Sequence, residues 1–143
     1  MRYWLGALAV LCMSSSVATA HHSFAMFDLG KEVKVEAVVK EVQYTNPHVW
    51  IRIMVPDDKG GETEWSIESG APGMMTRAGW KSSTLKPGDK VTLVMHPLKS
   101  GKPSGSLISV TVPDGRVLGP GAGAVAPPPT IDQADPFQAT PNR

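Results

Sequence analysis

The feature that most limits this chain is a period of two in its apolar residues. Val33, Val35, Ala37 and Val39 share one parity, and the apolar phase then moves to Val42 and Tyr44. Successive side chains of an extended strand point to opposite faces, so such a row is a strand with one buried face. The slip near Lys40-Glu41 predicts a β-bulge, because one extra residue re-aims a strand and increases its curvature. A second row, Val49, Ile51, Ile53 and Val55, leads through Asp57-Asp58-Lys59-Gly60-Gly61 to a third, Thr63, Trp65 and Ile67. The Asp/Gly cluster suits a hairpin turn, and Pro56 marks a strand end where its missing N–H does no harm.

Between Ser69 and Trp80 the alternation stops. Pro72 suits the first turn of a short helix, and Gly79 suits the position just past its end. Leu85-Lys86-Pro87-Gly88-Asp89 then turns into a strand with Val91, Leu93 and Met95, and a last strand carries Ile108, Val110 and Val112. The expected class is therefore all-β with one short helix. Three strands, a helix and two strands, closed on themselves, make a small five-stranded barrel like the oligonucleotide/oligosaccharide-binding (OB) fold. A two-sheet sandwich is the second choice, since five strands are few for one. The barrel domain is expected over residues 33–112.

The two ends read differently. Arg2, the apolar run Leu5 to Met13 and the small-x-small triplet Ala18-Thr19-Ala20 form a secretory signal peptide over residues 1–20, with cleavage after Ala20. The apolar run is too short to span a bilayer, which needs about 20 residues. The mature chain is then exported to the periplasm, with residues 21–32 as an N-terminal arm and no stable membrane insertion. At the other end, residues 113–143 hold seven of the thirteen prolines and a Gly119-Pro120-Gly121-Ala122-Gly123 stretch, which predicts a disordered tail.

Composition narrows the function. Cleavage removes one charge, Arg2, and leaves thirteen basic residues against thirteen acidic ones. A balanced chain is a poor match for nucleic acid or anionic lipid, which attract clustered positive charge. Cys12 leaves with the signal, so thiol chemistry and thiolate metal sites are excluded. The sequence holds no Gly-x-Ser-x-Gly, no phosphate-cradling loop and no His-Glu-x-x-His. Glu62, Glu64 and Glu68 alternate with apolar residues, as on a solvated strand face. An enzyme is not expected.

Histidine chemistry remains. If the mature chain begins at His21, the free α-amino group and the ring Nδ1 form a bidentate chelate, and both lose protons near neutral pH. One further imidazole completes a three-nitrogen site that suits Cu(II). His22 follows directly. His48 lies in Asn46-Pro47-His48-Val49-Trp50, with the parity of Trp50, Arg52 and Met54. His96 ends the fourth strand. In an OB arrangement His48 and His96 fall toward opposite ends of strand one, which argues against one site using both. The expected metal ligands are His21, His22 and His48, with His96 as a weaker candidate and Asp28 as a steadying contact in the arm. The methionines, without a Met-x-x-Met cluster, read as core filling. The alternative is a non-metal interaction module whose face of Trp50, Arg52 and Met54 docks a peptide, a glycan or a protein partner.

The segments His21-His22-Ser23-Phe24, Phe27-Asp28, Asn46-Pro47-His48-Val49-Trp50, Arg77-Ala78-Gly79-Trp80 and Leu85-Lys86-Pro87-Gly88-Asp89 resemble a family of small periplasmic proteins of Gram-negative bacteria, classed as a domain of unknown function. The resemblance covers about His21 to Leu118. It implies secretion and an OB-like barrel, and draws attention to the His-His-Ser-Phe and Asn-Pro-His segments. It implies no activity, and His96 lies outside its motifs.

Overall fold

The computed structural model describes residues 24–121. The expected signal peptide, His21, His22 and the chain from residue 122 onward lie outside the described residues. Six strands and one helix follow in order: β1 (Val33–Gln43), β2 (Trp50–Pro56), β3 (Glu62–Glu68), α1 (Pro72–Arg77), β4 (Lys90–Pro97), β5 (Ser104–Thr111) and β6 (Val117–Leu118). A single 3-10 turn, Phe24–Met26, precedes them. No helix among the described residues is long and apolar enough to cross a membrane.

The strands pair in the order β3-β2-β1-β4-β5-β6, and β3 also pairs with β5, which closes the first five into a barrel. All barrel pairings are antiparallel except β3 with β5, which is parallel over Ser66 to Glu68. This is the OB-like barrel the alternation predicts. Its interior is filled by the predicted rows: Val39, Ile51, Ile53, Ile67, Leu93 and Met95 are essentially solvent-free. Each such burial is worth roughly 1.5–3 kcal/mol.

The bulge in β1 falls where the phase slips. Val39 faces Ile53 and Glu41 faces Arg52, so Lys40 is the extra residue. That one residue lets an eleven-residue strand serve two neighbours, pairing with β4 through its first half and β2 through its second. A second irregularity corrects the reading of β5. Val94 faces Ser109 and Met95 faces Leu107, which leaves Ile108 without an opposite residue. Leu107, not Ile108, therefore takes the inner position beside Val110 and Val112.

The helix begins at Pro72 and ends before Gly79, whose φ of +93° reverses the chain. Met75 and Trp80 are thereby turned into the core. Trp80 donates from Nε1 to the Gly119 carbonyl at 2.9 Å, inside the segment expected to be tail. Val117 and Leu118 pair with Thr111 and Val110 as β6. The described fold thus continues past Val112, with β6 on the edge of β5 and Gly119 just after it supplying the acceptor that a buried indole needs.

Candidate functional site

The candidate site lies on the outer wall of the barrel and is built by register. Trp50 of β2 faces Glu68 of β3, Glu68 faces Ser106 of β5, and Ser106 faces His96 of β4. These four positions form one line across four strands. The next step reaches the start of β1 beside the Val33–Met95 pair, whereas the line enters from Gln43 at the other end of β1. That offset is the stagger any closed barrel must carry. It also resolves the position of the two histidines. They do sit at opposite ends of β1, yet around the closed wall Glu68 is only two strand spacings, roughly 10 Å, from His96. Sequence spacing alone cannot show this.

His48 precedes β2, after the cis Asn46-Pro47 peptide bond. Two backbone bonds of the next residue fix its level: Val49 donates to the Gly70 carbonyl and Ser69 donates to the Val49 carbonyl. The ring is held edge-on to the end of β3, with Nδ1 3.1 Å from the Ser69 carbonyl oxygen and 3.4 Å from Glu68 Oε1. The Ser69 carbonyl oxygen can only accept, so Nδ1 carries the hydrogen and donates it there. In the neutral ring, Nε2 is then the nitrogen with the lone pair. His96 follows the same rule, with Nδ1 2.7 Å from the Lys31 carbonyl oxygen. Metal-binding histidines are typically held this way, with the second ring nitrogen donating to a carbonyl or a carboxylate.

Glu68 is the residue that alternation misses. It occupies an outward position, as Glu64 does, but it is only 7% exposed, because the His48 segment covers it. Glu64 by contrast is only partly covered and is bonded to Lys40 across the bulge. Beside Glu68, the hydroxyl of Ser69 is buried with no hydrogen-bond partner.

The arm is anchored closer to its start than the sequence suggests. Phe27 bridges to Leu98, Asp28 donates its N–H to the Pro97 carbonyl, and Lys99 donates to the Met26 carbonyl. Phe27 is thus a fixed point six residues after His21 in the sequence, and a stretch that long spans at most about 20 Å, against about 40 Å for the twelve before Val33. Asp28 accepts from the Gly30 N–H and pairs with Lys31 at 3.6 Å, both contacts within the arm itself. Among the described residues no three His, Cys, Asp or Glu side chains converge as a metal cluster.

A family model described as a family of unknown function, DUF6152, matches residues 9–107. The chain belongs to DUF6152. No curated protein matches it, and no solved structure does. The matched DUF6152 span takes in the Asn46-Pro47-His48 segment, Glu68 and His96, and ends within β5, before β6. Trp50, Arg52 and Met54 lie within the same span, half-buried along the outer face of β2. The Arg52 guanidinium sits 3.8 Å from Glu41 and 3.9 Å from Glu64, so much of its charge is already answered within the barrel.

Proposed function

We propose that this protein is an exported, non-enzymatic periplasmic binding protein that takes up Cu(II) at the N-terminus created when its leader is removed. The α-amino nitrogen and ring Nδ1 of His21 form the chelate, and His48 supplies its Nε2 as the distal ligand. His22 adds a further nitrogen from its ring or its amide.

The observation that carries this reading is the orientation of His48. Its Nδ1 is turned onto the Ser69 carbonyl, so the ring is held in the form that gives Nε2 to a cation. An imidazole held by the fold loses less freedom on binding than a mobile one. The nitrogen-only donor set favours copper among divalent ions, in keeping with the order of stability for such ligands.

Intact mass of the protein recovered from the periplasm tests the proposal. The expected result is a chain starting at His21 that retains one copper ion under non-denaturing conditions. A different first residue, or a chain that leaves the column metal-free after copper loading, contradicts it.

A further inference from the structure

The segment between α1 and β4 and the turn between β5 and β6 border an open cleft of about 370 Å³ that shares no lining residue with the His48 site. One wall presents Lys81, Ser83, Thr84, Lys86 and Asp89, and the other Asp114 and Arg116. Both walls are held by their own hydrogen bonds. The Lys81 N–H donates to Thr84 Oγ1 and the Lys86 N–H to Asp89 Oδ2, each at 2.8 Å, while the Thr84 and Asp89 amides donate back to the Lys81 and Lys86 carbonyls. On the other wall Asp114 accepts from the Arg116 amide at 3.0 Å and from its Nε and Nη2 at 2.8 Å.

The charge in the cleft is therefore unevenly committed. Asp89 is engaged by its own turn and Asp114 by Arg116, but among the described residues the Lys81 and Lys86 ammonium groups form no ion pair or hydrogen bond. Lys81, Lys86 and Arg116 against Asp89 and Asp114 leave one excess positive charge. A planar carboxylate is best met by the fork of an arginine, and the Arg116 fork already faces Asp114. Lysines act instead as point charges for phosphate. The Thr84 hydroxyl accepts with its oxygen and keeps its O–H to donate, and Ser83 adds a second hydroxyl. One phosphoryl group needs only local positive charge, which a chain balanced overall still supplies.

From this we infer that the cleft is a binding site for a phosphoryl group, whose charge Lys81 and Lys86 answer and whose oxygens accept from the Ser83 and Thr84 hydroxyls. The site needs neither copper nor the N-terminus of the mature chain, so it stands apart from the reading above.

Backbone amide NMR of the metal-free protein, titrated with inorganic phosphate at constant ionic strength, tests it. Saturable shifts confined to residues 81–89 and 112–116 are expected, and sodium chloride should not reproduce them. Lys81→Met with Lys86→Met should weaken binding by about tenfold or more. Lys99→Met with Lys102→Met, which removes the same charge from the turn between β4 and β5, should leave it unchanged. Shifts that do not saturate, that fall equally on the turn of Lys99 and Lys102, or that survive the loss of Lys81 and Lys86 overturn the inference, the first two without any variant. Two further probes read the source of the group. Tighter binding of glycerol phosphate names a soluble ester, and sedimentation with phosphatidic acid vesicles, lost with Lys81 and Lys86, names a lipid headgroup; neither result leaves free phosphate as the ligand.

Discussion

Trp80 and Gly119 are joined by a buried hydrogen bond of 2.9 Å from the indole N–H to the carbonyl oxygen. This one contact ties the end of the helix to the segment after β6 and closes the base of the barrel. Next to it, the Pro120 carbonyl lies where a Cβ on Gly70 would come within 2.5 Å, so the last described residues are packed closely against the start of α1.

Replacing Trp80 with Phe keeps most of the apolar volume but leaves the Gly119 carbonyl without its donor. The expected loss is about 1–3 kcal/mol, read as a lower midpoint in urea with an unchanged slope. A chain ending at Val112 is expected to unfold at lower urea than one ending at Gly121. Equal midpoints for those two chains would show that β6 adds nothing to the fold.

The contrast between these ends and the barrel shows what the sequence makes legible. The β1 bulge appears as a phase slip because both halves of a long strand keep their own apolar parity. The helix appears because Pro72 and Gly79 bracket it. β6 does not, since two residues, Val117 and Leu118, cannot display a period, and the glycines and prolines around them dominate the local composition. Ile108 is misread for a related reason: the extra residue lies in β5, but only its pairing with Val94 and Met95 reveals it.

The site is legible in part. His48 stands out by its parity and its neighbours Asn46-Pro47, but Glu68 does not. Alternation tells which face a side chain occupies, not what later covers that face. Nor can any linear spacing show that His96 joins the line of Glu68 and Ser106, because that depends on the stagger of a closed barrel.

Gly105 is the second test of barrel closure. It lies in β5 opposite Ile67 of β3 and Pro97 of β4, and a Cβ there would meet Met95 Sδ at 2.7 Å and the His96 carbonyl at 2.9 Å. The methionine end can move, but the backbone oxygen cannot do so without disturbing β4. Gly105→Ala is therefore expected to cost about 1–3 kcal/mol in chemical denaturation. No measurable change would mean that β4 and β5 are less closely apposed than described.

Glu64 offers a pH test on the outer face. Its hydrogen bond to Lys40, followed by the charges of Lys40 and Arg52, holds its carboxyl below the ordinary glutamate value of 4.5. A folded value below the unfolded one gives stability that is present above about pH 4.5 and lost as pH falls through the folded value. The pair is exposed, so the contribution is small and weakens with salt. Carbon-detected NMR titration should place the Glu64 midpoint below the ordinary glutamate value of 4.5, and Lys40→Met should raise it. A midpoint unmoved by that substitution would exclude Lys40 as the cause.

The proposed copper site depends on a chelate made by the backbone amine and the ring of His21, completed by His48. Calorimetric titration of Cu(II) into mature protein beginning at His21, beside the same protein carrying one added N-terminal glycine, tests it most directly. One tight site is expected in the first and an affinity weaker by more than about tenfold in the second, with a matching loss in His48→Ala. Equal affinity for the native and the extended chain would contradict it.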